Sequence, residues 1–469
     1  MAAETRYDAV EYPAALYTTT HPDHLAAIAR LHGLDAPDPR GARVLEIAGG
    51  DGVNLIAMAA GLPDARFTSF DLSARAVVRG QALVRASGLT NISVEVGDLL
   101  DVAERMDGPF DYIIAHGLYA WVPEPVRDAA LRLIGRTLSP DGVAFVSYNA
   151  KPGGLMRQAV RDMLLHEIGD AADHKEKVAL AFEALERFAT PQPSDRPLLA
   201  AMRGVAAPMA QKSPGLLFHD ELSDVYAPQS LSELVTAAAA HDLAFLNDAV
   251  PSMIYDGLPG IEMDDAEAVR LAQTSDYESL AFFHQTLLVR PGRAPSRRID
   301  PAVLTRLGAT SGARRVGEHV FQLDGAEFVI DDPRLTAFVA AAASAAPDPL
   351  SLAPFAGSAE DAAAVLSLYA REVIRLHAMP FAGVTTPGKR PRASPVALAQ
   401  LALGVTELYA LDHRPVTFAE DAPRHFLALL DGTRDQDAIA AEWAQTPFAA
   451  QISAADALRQ IAGVGMLVA

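Results

Sequence analysis

One stretch of eleven residues, Val44-Leu45-Glu46-Ile47-Ala48-Gly49-Gly50-Asp51-Gly52-Val53-Asn54, constrains this chain more than any other. An apolar run meets a glycine cluster, and Leu55 to Ala60 continues in a helical pattern. A buried strand, a tight turn short of Cβ atoms and a helix N-terminus together make a cradle for a nucleotide or nucleoside. Gly50 and Gly52 let the backbone approach a ligand closely. A second strand, Arg66-Phe67-Thr68-Ser69-Phe70, ends in Asp71, 25 positions after Glu46. A carboxylate there can accept both hydroxyls of a ribose.

The details of the loop select the ligand. Dinucleotide sites use G-x-G-x-x-G and aim a helix N-terminus at a pyrophosphate. Here the third glycine position falls on Leu55, and the acid Glu46 precedes the loop. A carboxylate facing the loop suits an ammonium or sulfonium centre and repels a diphosphate. Three further strands follow. Asn91 to Leu99 carries a strand ending at Asp98, Phe110 to Gly117 one ending near His116, and Gly142 to Asn149 one ending in Tyr148-Asn149. Strands alternate with helical patterns, so the expected fold is α/β with a doubly wound, Rossmann-like parallel sheet. Ligands on such sheets sit at the carboxyl ends of the strands, where Glu46, Asp71, Asp98, His116 and Tyr148 all fall. The acids also suit helix N-caps.

Composition narrows the class. A chain of 469 residues exceeds one core, so two to three domains are expected. With no cysteine there are no disulfides, thiolate metal sites or cysteine nucleophile. No His/Asp cluster has ligand spacing, so no metal is expected. The first residues lack the apolar core of a signal peptide, and the longest apolar stretches are too short to span a bilayer. A soluble cytoplasmic protein with no membrane insertion is expected. The net charge of −20 repels nucleic acid. The basic cluster Lys389-Arg390-Pro391-Arg392 reads as a solvated linker.

Along the chain, residues 1–203 are expected to form the nucleoside-binding domain with an N-terminal helical lid. That region is interrupted late by Thr190-Pro191-Gln192-Pro193-Ser194. Residues 204–300 are expected to form a mixed α/β middle domain, and residues 301–469 a C-terminal domain. In the last, Val320–Leu323, Asp324-Gly325 and Ala326–Ile330 read as a β-hairpin with a type I′ turn. Helical patterns follow at about 358–378, 394–409 and 419–430. Short helices with a small hairpin resemble a winged-helix module, and at this net charge such a module suits protein better than DNA.

The pattern acid-x-(Gly/Ala)-x-Gly-x-Gly at Glu46, Ala48, Gly50 and Gly52 resembles motif I of class I S-adenosylmethionine (SAM) methyltransferases. The likeness extends to Tyr17…Thr20-His21-Pro22, Phe70-Asp71-Leu72-Ser73, Asp111 to Pro123 and Ser147-Tyr148-Asn149…Pro152-Gly153. Together these resemble bacterial methyltransferases with a methyltransferase regulatory domain, similar to the rickettsial outer-membrane-protein lysine methyltransferases. The family has Gly-Cys-Gly where this chain has Ala48-Gly49-Gly50, and Tyr-Pro-Gly where it has Lys151-Pro152-Gly153.

The resemblance implies SAM as cofactor and S-adenosylhomocysteine (SAH) as product. It implies that Gly49, Gly50, Gly52 and Asn54 shape the cofactor loop and that Asp71 holds the ribose. Asp98 would take the adenine amino group, and Leu72 and Leu99 would sandwich the ring. Glu46 would orient the methionine end, directly or through water, while Tyr17 and Thr20 either close over it or anchor the core. His116, Tyr119, Trp121, Tyr148 and Asn149 are the candidates at the acceptor, with His116 also beside the cofactor. Tyr119 and Trp121 also read as packing residues under a loop.

The leading expectation is methylation of lysine side chains in a protein or peptide substrate. The alternatives are a methyltransferase of a small molecule or modified peptide, and a non-catalytic SAM-binding adaptor. A homodimer stays among the open oligomeric states.

Overall fold

The computed structural model describes residues 10–13, 15–193, 195–250 and 263–468. The expectation about the first nine residues, and Ser194 of the expected interruption, lie outside the described residues. Among the described residues no helix is long and apolar enough to cross a membrane.

The chain opens with helix α1 (Pro22–Leu31), its N-terminus capped by the His21 ring, which accepts from the Asp23 N–H. Strand and helix then alternate: β1 (Arg43–Ile47), α2 (Val53–Gly61), β2 (Arg66–Asp71), α3 (Ala74–Ser87), β3 (Ile92–Val96), α4 (Leu99–Arg105), β4 (Phe110–Ala115), α5 (Glu124–Thr137) and β5 (Leu138–Asn149). These five strands pair parallel. Helices cover both faces, so β1 and β4 are buried almost throughout. Two clusters of buried side chains result. Leu45, Ile47, Phe70 and Ile113 lie on one side of the sheet, and Val44, Phe67, Tyr112 and Ile114 on the other.

The sheet does not end at β5. Helices α6 (Gly153–Ile168), α7 (His174–Ala189) and α8 (Pro197–Ala210) form a separate layer with its own apolar cluster. After α9 (Leu231–Ala239), β6 (Ala244–Asp248), α10 (Asp265–Ser279) and β7 (Phe283–Val289) return to the sheet. The strand order is β3-β2-β1-β4-β5-β7-β6, with β7 antiparallel to both neighbours. Residues expected to form a middle domain at 204–300 therefore supply two strands of the first sheet. Strand periodicity reports that a segment is extended. It does not report which distant strand it will pair with.

The C-terminal third holds two cores. The first contains Phe321, Val339, Leu366 and Tyr369, and takes in Ala27 and Leu31 from α1. The second contains Leu408, Phe426, Trp443 and Ile461. The hairpin forms as expected, with Asp324 at φ 49° and Gly325 at φ 84°, the two positive values a type I′ turn needs. It packs in the first core, whereas the helices at Asp421–Leu429, Gln436–Trp443 and Ala454–Gly463 belong to the second. A winged-helix module is thus not confirmed. The expected helices are also shorter than their patterns, at Ala359–Ala370 and Pro395–Ala402. Left-handed Glu372 and Gly404 follow them, and short strands at Arg375–His377 and Glu407–Tyr409 come next.

Candidate cofactor site

At the topological switch between β1 and β4, the loop after β1 is built from left-handed residues. Ala48 has φ 56°, Gly50 φ 61° and Gly52 φ 71°. Glycine meets this demand without strain. At Ala48 the same conformation costs about 1–3 kcal/mol, which is the physical reason a glycine is expected there. The loop is closed by Gly52 N–H donating to the Gly49 carbonyl at 2.8 Å, and tied to β2 by Gly49 N–H donating to the Phe70 carbonyl at 3.2 Å. A Cβ on Gly49 would stand 2.7 Å from Glu46 Oε2 and collide with Ser69. Gly80 on α3 was not singled out by the motif, yet a Cβ there would overlap the Asp51 carbonyl. Its absence lets α3 press against the loop from outside.

Asp71 secures this loop. Its Oδ2 accepts from Gly50 N–H at 2.9 Å, and its Oδ1 from Ser73 N–H at 2.8 Å. Glu46 lies deeper, 3 % exposed. Its Oε1 accepts from Asn54 Nδ2 at 2.8 Å, while Oε2 is buried without a partner among the described residues. Burial pushes the Glu46 carboxyl up to about 8. The Asn54 hydrogen bond opposes that shift, and the charges of Asp51 and Asp71 add to it.

Asn54, also 3 % exposed, is the hub of the site. Its Nδ2 donates to Glu46 Oε1 and, at 3.1 Å, to Thr20 Oγ1. Its Oδ1 accepts from Tyr17 N–H at 3.1 Å and meets His413 Nε2 at 2.9 Å. The turn Tyr17–Thr20, closed by Thr20 Oγ1 donating to the Tyr17 carbonyl at 2.7 Å, therefore rests on the start of α2.

Along the next strand ends the expected residues separate. Leu72 is 49 % exposed beside Asp71, whereas Leu99 is 6 % exposed and packs in the core with Ile47 and Phe70. Leu99 stands on the first turn of α4, whose apolar face turns to the sheet. Its neighbour Leu100 is the exposed one. Asp98 caps α4, accepting from Leu100 N–H at 2.9 Å.

The ends of β4 and β5 build the other wall. The His116 ring lies 3.7 Å, centroid to centroid, from the Tyr17 ring, and Phe283 meets it edge-on at 6.2 Å. Its Nδ1 is 2.9 Å from Ser147 Oγ, which accepts from Gly117 N–H at 2.8 Å. Burial lowers the His116 imidazole to about 4 and raises the Tyr17 phenol to about 12. Asn149 is 4 % exposed, with its Oδ1 unpartnered among the described residues.

Tyr148 and Tyr119 are taken into the core, their rings 6.2 Å apart, and the Tyr148 hydroxyl meets Thr286 Oγ1 at 3.1 Å. Trp121 packs against Tyr226 at 4.9 Å with the Arg157 and Arg161 guanidiniums at 5.2 and 5.4 Å. Glu46, Asn54, Tyr17, Thr20 and His116 are therefore brought together, while Leu99, Tyr119, Tyr148 and Trp121 are drawn into packing. Among the described residues no group of three or more His, Cys, Asp or Glu side chains is placed to hold a metal ion.

A family model described as a methyltransferase domain matches residues 44–142, the span from β1 to the middle of β5. An uncharacterized protein of Rickettsia prowazekii is 34 % identical over 192 residues, covering 39 % of this chain and 76 % of that protein. The chain belongs to the class I SAM-dependent methyltransferases. SAM is the cofactor of this family, and the buried carboxylate oxygen of Glu46 facing a left-handed glycine loop fits its cationic methionine end. A second uncharacterized protein of the same organism is 32 % identical over 306 residues, 64 % of this methyltransferase and 55 % of the relative, so the match spans little more than half of that relative's length. The structure of PKMT2 from Rickettsia typhi in complex with AdoHcy has the same fold. It aligns with a TM-score of 0.78 over 98 % of this chain and 100 % of that one, at 21 % identity.

Proposed function

We propose that this methyltransferase transfers the methyl group of SAM to lysine side chains of protein substrates. One observation carries the acceptor class. In the wall formed by Tyr17 and His116, burial lowers the His116 imidazole to about 4 and raises the Tyr17 phenol to about 12. A lysine ammonium, with an ordinary pKa near 10.4, needs about 4–5 kcal/mol to lose its proton at neutral pH. Desolvation of the cation lowers that cost. The same wall that discharges His116 acts on an entering ammonium in the same direction. Asn149 Oδ1, at the end of β5 and without a partner among the described residues, suits an N–H of the amine. The net charge of −20 favours basic substrates and disfavours nucleic acid. The fold shared with PKMT2 over the full length agrees with this choice.

When bound, SAM supplies an electrophilic methyl group on a sulfonium. Displacement at that carbon is governed by positioning, and the chain's own residues do the positioning. Glu46 would orient the ammonium of the methionine end, directly or through water. Asp71 would hold the ribose at the end of β2, Asp98 the adenine, and Leu72 would cover the ring. Tyr17 and Thr20 close the entry and exclude water. His116 is held by Ser147 and lies tilted against the Tyr17 ring, and as a neutral ring it leaves the site without added positive charge to oppose the acceptor.

Radiolabelled SAM presented with lysine-rich proteins and, separately, with a panel of small amines, hydroxy acids and carboxylates tests this. Peptide mass spectrometry should place methyl groups on lysine Nζ. Label found on small molecules alone would overturn the lysine assignment while leaving the methyltransferase intact.

A further inference from the structure

A side chain of the C-terminal third of the chain reaches Asn54 in the cofactor site. His413 sits in the turn between strands Glu407–Tyr409 and Pro415–Thr417, closed by Ala410 N–H donating to the Arg414 carbonyl at 2.9 Å. It holds a left-handed φ of 63°, uncommon for a residue with a side chain, and it is 2 % exposed. Its Nε2 lies 2.9 Å from Asn54 Oδ1.

The direction of that hydrogen bond follows from Asn54. The Tyr17 backbone N–H can only donate, so the atom it meets is the amide oxygen, and the amide nitrogen faces Glu46 and Thr20. His413 must therefore be protonated on Nε2 and donate. All four hydrogen-bonding positions of Asn54 are then filled. Three come from the cofactor half of the molecule and one from a residue far along the chain.

This contact does not stand alone. Asp23 on α1 accepts from Ala378 N–H at 2.7 Å and Met379 N–H at 2.9 Å, and meets His377 Nδ1 at 2.7 Å. The His21 ring, which caps α1, lies 5.4 Å from the His413 ring. Tyr409 and Val396 pack with Ile56, Val77 and Val94 behind the glycine loop. The C-terminal third thus grips α1, the helix that follows the Tyr17–Thr20 turn, and the back of α2, the helix that follows the glycine loop.

We propose that His413 is a positioning residue of the cofactor site: by donating to Asn54 it fixes the amide that orients Glu46 and seats the Tyr17–Thr20 turn, so that cofactor binding requires the C-terminal third docked. The proposal rests on the reading of Glu46 and Asn54 as the seat of the methionine end. His413 touches neither cofactor nor acceptor. It acts through Asn54.

The test is titration calorimetry with SAH on the full chain, beside melting curves for every variant. His413→Asn keeps a residue at ease with positive φ but is one methylene too short to reach Asn54. His413→Gln places an amide N–H where Nε2 stood. The Asn variant should bind SAH about tenfold more weakly, the effect of one buried hydrogen bond, and the Gln variant should recover most of that loss. In an Asn54→Ala background the His413→Asn change should alter affinity less than about twofold, because its route is gone.

Hydrogen exchange on the unaltered protein needs no variant to fold. SAH should protect amides of the 409–415 turn together with those of the glycine loop, as reciprocal coupling demands. Wild-type affinity in a folded His413→Asn variant, or a turn whose exchange ignores SAH, overturns the proposal. Failure of the unaltered protein to bind SAH would instead overturn the cofactor reading beneath it.

Discussion

Two ionisable residues near the carboxyl edge of the sheet show how a fully partnered polar group differs from a half-partnered one. On β7, His284 is clamped by two carboxylates, its Nδ1 2.9 Å from Asp248 and its Nε2 2.9 Å from Asp276. Burial alone would discharge this ring, but the two partners outweigh it and raise its pKa to about 10. On β1, Glu46 has a partner on one oxygen and none among the described residues on the other, and burial drives it up to about 8. One group is complete within the fold. The other is left with a bare acceptor in a dry place, which a native chain rarely tolerates unless a ligand completes it.

The contrast is open to direct attack. The largest effect is expected at the complete site. His284→Ala leaves Asp248 and Asp276 buried without their cation and should cost about 3–5 kcal/mol in a urea unfolding titration, while the folded fraction binds SAH within about threefold of wild type. If stability barely changed, the clamp would not be the structural element its geometry describes.

Next comes the loop beside Glu46. Asp71→Ala removes the carboxylate that holds Gly50 and Ser73 and should weaken SAH binding by about a hundredfold in calorimetry. Retained affinity would move the ribose contact elsewhere.

A pH experiment separates the two groups by sign and window. His284 has its folded pKa raised from 6.5 to about 10, so the stability it contributes is full below pH 6.5 and is lost as pH rises towards 10. Glu46 is an acid whose folded pKa is raised from 4.5 to about 8. The folded chain binds its proton more tightly than the unfolded chain does, and stability falls as pH rises from 4.5 to 8. A ligand ammonium on Oε2 favours the carboxylate and should cancel the second slope while leaving the first. Between pH 6 and 7.5, SAH affinity should climb in the wild type, by about tenfold or more, and stay flat in Glu46→Gln. Parallel pH profiles would exclude Glu46 from the ligand contact.

The smallest effect is expected at Tyr148. Its ring lies in the core and its hydroxyl meets Thr286, so Tyr148→Phe should cost about 1 kcal/mol of stability and leave SAH affinity unchanged. A methyl-transfer rate that falls sharply in this variant would restore Tyr148 to the acceptor side and would place part of the chemistry within the packed region.

Much of this was legible beforehand. The five parallel strands were marked by apolar runs ending in polar residues, and the hairpin by Asp324-Gly325. The Glu46, Ala48, Gly50 and Gly52 spacing carried the cofactor class, because left-handed turns and helix starts are written in adjacent residues. The Asn54 hub was visible only as a motif position. The reach of His413 carried no local signal, since the turn that aims it is far from β1 in the chain. Gly80 also escaped notice, because its reason for being glycine is the carbonyl of Asp51 on another element. Leu99 and Tyr148 lie at the right strand ends, but a position at a strand end does not say which way a side chain turns.

By itself the order of residues determined the kind of ligand and the strand–loop–helix that receives it, since backbone preference and the placement of one acid ahead of a glycine turn act over a few bonds. Tertiary structure alone decided that segments 244–248 and 283–289 complete the first sheet, which aromatic rings are taken into the core, and that His413 of the C-terminal third meets Asn54. Those outcomes depend on distances between parts of the chain that share no local geometry, and only packing the whole molecule sets them.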